Sequence, residues 1–176
     1  MVSSSQEYNG HTIVLAHDEY AESPRDWDNL GEFLYIENRS VEGDRKASLE
    51  YIEALTKRDD VVYLPVYAYV HSGVTIRTSP FECSFDSGMV GIIYVYKDRL
   101  AKEGLTEEQA KETLKSEIDT MAKWLEGQVF GYVVKRDGNE IDSCWGMYDH
   151  EEALTRAKEF IDSISPAELS LESSAL

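Results

Sequence analysis

The sequence predicts an α+β fold, with a mainly antiparallel sheet and helices packed on one face, and three observations lead there. β-rich runs outnumber helical segments and follow one another without regular strand–helix–strand alternation, which argues against a parallel sheet. Two pairs of these runs are joined by hairpin signals, His71-Ser72-Gly73 and Asp137-Gly138-Asn139. Helical periodicity is confined to a few segments, of which Thr106 to Glu126 is the longest.

Thr12 to Ala16 (TIVLA) is a short apolar run rich in β-branched residues, the pattern of a buried strand. His17 to Gly31 is polar and turn-rich, and its Tyr20 and Trp27 argue for an ordered loop, because both rings gain by cover. Phe33 to Glu37 (FLYIE) reads as a second strand and Ser40 to Lys46 as a charged loop. Ala47 to Lys57 then brings Leu49, Ile52 and Leu55 near one helical face. VVYLPVYAYV (61–70) and VTIRTS (74–79) are strands of one hairpin, and Pro65 pushes the first toward a sheet edge or a bulge. MVGIIYVY (89–96) is a further strand, reached through the compact turn Cys83 to Gly88.

Asp98 to Glu103 has room for about one helical turn before Gly104. Thr106 with Gln109 three residues on forms a capping-box signature, and Ala110, Leu114, Ile118, Met121 and Leu125 give the following helix an apolar stripe before Gly127 ends it. Gln128 to Arg136 and Glu140 to Tyr148 form the second hairpin, and His150 to Ile164 closes the fold as a helix. No repeat or composition break marks a boundary, so residues 1–164 read as one domain and 165–176 as a frayed tail.

Composition narrows the function classes. A hydrophobic fraction of 42% at 176 residues supports a packed core despite a net charge of −17. Residues 1–60 carry −8, residues 61–97 none, residues 98–127 −3 and residues 128–176 −6. The neutral stretch is the expected centre of the sheet. No basic run exceeds two residues, so direct nucleic-acid binding, which needs clustered cations, is the poorest fit. No stretch reaches the roughly 18 apolar residues of a membrane span, and the polar start of the chain lacks a signal peptide's pattern. A cytoplasmic protein away from membranes is expected.

No cofactor or metal motif is present. Gly88-Met89-Val90-Gly91 lacks the lysine, hydroxyl and following helix of a phosphate loop, so tight backbone packing is its better reading. Cys83 and Cys144 stand outside any Cys-x-x-Cys pair and read as reduced thiols. A nucleophilic site would need Cys83, Ser87 or Cys144 beside His17, His71 or His150, with an aspartate to orient the ring. The trio Cys83, Asp86 and His71 is the best catalytic candidate, and a hydrolase loop site near Asp26, Asp28, Cys83 and Asp86 is the enzymatic alternative. Asp18, Glu19, Glu22, Asp26 and Asp28 match no calcium loop; with Trp27 they form the candidate binding segment.

Ser23 to Gly31 (SPRDWDNLG) and Cys83 to Val95 (CSFDSGMVGIIYV) resemble segments of uncharacterised acidic proteins encoded by phages and mobile elements. The resemblance implies a setting and no reaction. In that setting the leading expectation is a non-enzymatic protein that binds and inhibits a basic host protein, with carboxylates standing where phosphates would lie in one form of it, an anti-defence nucleic-acid mimic. An acidic accessory protein without mimicry is a further alternative. The Trp27 and Phe85 loops are expected to pack together at one end of the sheet, with both rings partly covered.

Overall fold

The computed structural model describes residues 2–37, 41–83 and 85–164, and the tail expected to fray, 165–176, lies outside the described residues. In chain order the elements are β1 (Val2–Tyr8), β2 (His11–His17), a 3-10 turn (Pro24–Asp26), β3 (Glu32–Ile36), β4 (Arg45–Ala47), α1 (Leu49–Thr56), β5 (Val61–Val70), β6 (Val74–Arg77), β7 (Ser87–Tyr96), α2 (Lys97–Glu103), α3 (Glu107–Leu125), β8 (Phe130–Arg136), β9 (Asn139–Met147) and α4 (His150–Ser163). The class is α+β, and among the described residues all strand pairs but one are antiparallel. No described helix is long and apolar enough to cross a membrane.

The span read from sequence as a single domain separates into two compact units, one of residues 1–22 with 127–176 and the other of residues 23–126. The second unit is inserted in sequence between β2 and β8 of the first. No linker composition announces the insertion, because its two ends are tied within the first unit by backbone pairing. Asp18 N–H donates to the Val129 carbonyl at 2.8 Å, and His17 Nδ1 lies 3.0 Å from the Gly127 carbonyl.

The first unit is a four-stranded sheet in the order β1-β2-β8-β9 with α4 against it. Ile13 and Leu15 of β2 alternate inward and meet Tyr132 and Val134 of β8 and Ala153, Ala157 and Ile161 of α4. Asp149 caps α4 by accepting from Glu151 N–H at 2.9 Å. Strand β1 carries no strand pattern in its sequence. It is an edge strand whose VSSSQEY has no apolar alternation, and its signal is instead the turn Asn9-Gly10, with φ of 45° and 75°. The same turn chemistry recurs at Asp137-Gly138, φ 50° and 81°, where the hairpin was expected.

The second unit is a five-stranded sheet in the order β4-β3-β7-β5-β6, with β3 and β4 parallel. Neutral strands β5 and β7 are central, as their lack of charge predicts. Pro65 pairs with Ile92 beyond the end of β6, and the register shifts just after it, between Val66 and Tyr67. Helix α3 supplies the main layer on one face: Ala110, Leu114, Ile118 and Met121 bury against Phe33, Val62, Val66 and Ile93. Its start is a capping box, with Gln109 N–H to Thr106 Oγ1 at 3.2 Å and Thr106 N–H to Gln109 Oε1 at 2.9 Å. A smaller layer lies on the other face, where Ile52 and Leu55 of α1 cover Leu34, Ile92 and Tyr94. The unbroken apolar run of β7 requires cover on both sides. Gly91 sits where a Cβ would come 1.9 Å from the Leu34 carbonyl oxygen, so this glycine serves close strand approach.

Candidate functional site

The segment Ser23 to Gly31 connects into β3 and has almost no regular structure, yet its backbone is held at many points. Ser23 Oγ accepts from Arg25 N–H at 3.2 Å, and Pro24 fills the first position of the 3-10 turn. Asn29 Nδ2 donates to the carbonyls of Pro24 at 2.9 Å and Trp27 at 3.0 Å, which folds the turn back on itself.

Beneath this turn lies a buried ionic network. Arg25 donates from Nε to Asp44 Oδ1 at 2.9 Å and from Nη2 to Asp44 Oδ2 at 2.5 Å, a bidentate pair, and from Nη1 to Glu117 Oε2 at 3.1 Å. The side chains of Arg25, Glu117 and Asp44 are 7%, 11% and 23% exposed. Every remaining polar atom finds work. Arg25 Nη2 also reaches the Gly31 carbonyl at 2.7 Å, Glu117 accepts from Leu30 N–H at 2.7 Å, and Asp44 accepts from Phe33 N–H at 2.7 Å. Burial is the largest influence on Arg25 and opposes its charge, but the two carboxylates outweigh it and hold the guanidinium above its ordinary pKa. The network ties the loop to α3 and β3.

A cleft of about 320 Å³ opens beside the loop, between Trp27, Asp28, Glu32, Tyr96 and Arg99, with Arg25 and Asp44 at its base. Glu32 accepts from Arg45 Nε at 2.7 Å and from the Tyr94 hydroxyl. Burial raises the Glu32 pKa, but these two donors prevail and keep the carboxyl below its usual range. Burial first, then Glu32, pushes the Tyr94 hydroxyl well above a normal phenol. Arg99 donates to the Leu30 carbonyl at 3.1 Å and to Glu103 at 2.8 Å, and its Nη2 is 3.8 Å from Asp28, which is otherwise in solvent. Arg25 is thus matched by two carboxylates, Arg45 by Glu32 and Arg99 by Glu103; with Asp28 added, two negative charges are in excess. A second cavity, about 580 Å³, shares Arg25 and Asp44 and is walled by Val41, Met121, Trp124 and Leu125.

The residues singled out from the sequence fall in three places. Asp26, Trp27 and Asp28 stand together on the pinned loop, all exposed, with Trp27 at 48%. Asp18, Glu19 and Glu22 belong to the other unit, where Asp18 Oδ1 accepts from Tyr20 N–H at 3.1 Å. His71, Cys83 and Asp86 lie at the far end of β7, which enters at Ser87 and leaves at Tyr96 beside the cleft. Ten residues of strand separate these ends by roughly 30 Å, so the shared loop site of Asp26, Asp28, Cys83 and Asp86 does not exist. The Trp27 and Phe85 loops do not pack together either, and Phe85 is 99% exposed where partial cover was expected. Tyr20 is exposed as well.

Of the catalytic trio, His71 Nδ1 is 3.4 Å from Asp86 Oδ2 in a solvent-exposed pair. Cys83 is exposed, and its carbonyl, the atom that anchors the turn, accepts from Ser87 Oγ. Cys144 is the other free thiol and packs at the edge of the first unit's core. His17 and His150 instead flank Phe130 in that unit, with ring centroids 4.9 Å and 5.4 Å away. Among the described residues no group of three or more His, Cys, Asp or Glu is placed to hold a metal ion.

Sequence reasoning found the loop but missed Arg25, Asp44, Glu117 and Arg99. Arg25 lies 19 residues from Asp44 and 92 from Glu117, and Arg99 lies 69 from Leu30, so no local pattern announces these contacts; the available signal was that Arg25 is the sole cation in an acidic run. Comparison with models of known protein families, with curated proteins and with solved structures finds no match to this chain.

Proposed function

We propose that this chain acts by binding a basic protein, without catalysis, and that the Trp27 loop is its contact surface. One observation carries the reading: an exposed tryptophan flanked by two exposed aspartates is mounted on a loop whose backbone is fastened to α3 and β3 by a buried Arg–carboxylate network. Trp27 keeps about half of its surface, 48%, open to solvent, and part-exposed tryptophans dominate binding energy at protein interfaces. Holding the loop in advance lowers the ordering entropy of association. The net charge of −17 adds long-range attraction for a cationic partner.

In the phage or mobile-element setting that the two motifs resemble, the partner is a basic protein of the host cytoplasm, and inhibition of a nucleic-acid-directed defence factor is the finer form of the proposal. The loop is a better candidate for phosphate-like display than the long helix. On α3, Glu107 is neutralised by Lys97 at 2.7 Å and Asp119 by Lys115 at 2.5 Å, whereas Asp28 has only the long contact to Arg99.

The test compares two variants, Asp26→Asn/Trp27→Ala/Asp28→Asn and Glu107→Gln/Glu108→Gln/Glu112→Gln/Asp119→Asn, in association with purified basic host proteins at low and moderate salt. The loop variant should lose binding and the helix variant retain it, with association slowing as the Debye length falls below about 10 Å. Binding that survives the loop substitutions, or that ignores salt, overturns the proposal.

A further inference from the structure

The cleft beside Trp27 has a chemistry of its own, and it identifies what the partner would place there. At about 320 Å³ it stands at the lower end of the roughly 300–1,000 Å³ typical of ligand pockets, a size suited to one long side chain and small for a nucleotide. Its mouth presents two partly exposed rings, Trp27 at 48% and Tyr96 at 38%. The Asp28 carboxylate stands in solvent, and Glu32 and Asp44, which also line the cleft, are less exposed. Two cations, Arg25 and Arg99, also line it, but each is already engaged by carboxylates and by a main-chain carbonyl, Gly31 for Arg25 and Leu30 for Arg99. The surrounding ion pairs leave negative charge in excess, so an anion is disfavoured and a cation favoured.

Among cations, planarity decides. A guanidinium can lie flat on an indole while its edge donates to a carboxylate, whereas an ammonium is a compact, strongly hydrated point charge. The same unit already uses this pairing on its own surface: Arg45 lies over Tyr51 at 5.4 Å, Arg58 over Tyr96 at 5.5 Å and Arg77 over Phe81 at 4.0 Å from the ring centre. We infer that the cleft is an arginine-accepting pocket, in which a guanidinium from the partner stacks on Trp27 and pairs with Asp28. The inference rests on the reading of the chain as a binder of basic proteins and sharpens it, since a partner must then present an arginine at its surface and not merely positive charge.

The test follows the indole N–H resonance of Trp27 by NMR, identified with Trp27→Phe, during titration with N-acetyl-arginine amide, N-acetyl-lysine amide and N-acetyl-citrulline amide. Citrulline keeps the planar end group and removes the charge. Arginine amide should shift the Trp27 signal saturably, lysine amide more weakly and citrulline amide not at all. Trp27→Ala, read through the amide signals of Asp28 and Arg99, should weaken arginine amide binding roughly two- to fivefold, the effect expected of an exposed cation–π contact. Asp28→Asn should weaken it by a similar factor with Trp27 in place. Equal responses to arginine and citrulline, or no saturable response to arginine, overturn the pocket. If that occurs while intact basic proteins still bind through the loop, only the pocket falls; if arginine amide binds but no basic protein does, the broader reading falls and the pocket stands.

Discussion

The two ends of β7 each carry an exposed aromatic residue on a loop, and they are built in opposite ways. At one end Trp27 stands over a network of three ionised side chains, at most 23% exposed, whose donors and acceptors meet main-chain groups of the loop itself. At the other end Phe85 is 99% exposed, and the contacts among the described residues beside it include the surface pair His71–Asp86, the Ser87 to Cys83 hydrogen bond and a backbone bond from Val70 N–H to the Asp86 carbonyl. Exposure alone therefore does not identify a contact site. What distinguishes the Trp27 end is the buried ionic network that fastens its loop, because a ring held in advance lowers the ordering cost of binding.

The sharpest way to break this comparison is to remove Arg25. Arg25→Ala leaves Asp44 and Glu117 facing each other without their cation, and loss of one partner of a buried pair costs about 3–5 kcal/mol. Urea unfolding should show a loss of that order. A change below about 1 kcal/mol would mean that the network does not fasten the loop. Gly31→Ala attacks the same loop by packing: an added Cβ would lie 2.3 Å from Leu114 Cδ2 and 2.7 Å from Ile93 Cγ1, both on buried side chains. Overpacking of this kind costs about 1–3 kcal/mol, to be read in the same unfolding experiment.

A pH experiment sharpens the electrostatic side. The Glu32 carboxyl, at the wall of the cleft, has a folded pKa below its ordinary value of 4.5, because the Arg45 and Tyr94 hydrogen bonds outweigh the burial that works against them. The folded state thus binds the Glu32 proton less readily than the unfolded chain does. Its contribution to stability is present above about pH 4.5 and is lost as pH falls through the lower, folded value. Glu32→Gln should flatten the acid-side fall of stability below that pH while leaving the neutral and mildly alkaline range nearly parallel to wild type.

Much of this architecture is legible in the sequence, for reasons that also explain what is not. The stripe from Ala110 to Met121, the Thr106 capping box and the Asp137-Gly138 turn are local signals, complete within a few residues, and each is found where it was expected. The apolar run of β7 and the neutrality of residues 61–97 likewise placed the central strands. Edge strand β1 escaped because an edge needs no apolar alternation, and the two-unit organisation escaped because the tie between Asp18 and Val129 spans 111 residues of chain. The candidate site was half legible. Trp27 and its aspartates could be named from composition, but Arg25–Glu117 joins residues 92 apart and the cleft walls come from the Trp27 loop, β3, the Asp44 turn, β7 and α2.

The smallest expected effect belongs to the Phe85 end, and its smallness is the test. His71→Ala, Cys83→Ala and Asp86→Asn each alter an exposed side chain; the His71–Asp86 pair is a surface contact, the class that contributes about 0–1 kcal/mol. The Asp86 carbonyl that receives Val70 N–H and the Cys83 carbonyl that receives Ser87 Oγ are main-chain atoms and survive all three substitutions. Each variant should therefore lie within about 0.5 kcal/mol of wild type in urea unfolding and should bind basic proteins as wild type does. The same three proteins decide the enzymatic alternative. A hydrolytic activity toward ester or peptide substrates that wild type shows and these folded variants lack would make the His71–Asp86 end the functional one and the Trp27 loop a structural feature. Unchanged stability together with unchanged binding leaves the difference between the two ends of β7 as drawn, with function on the fastened end.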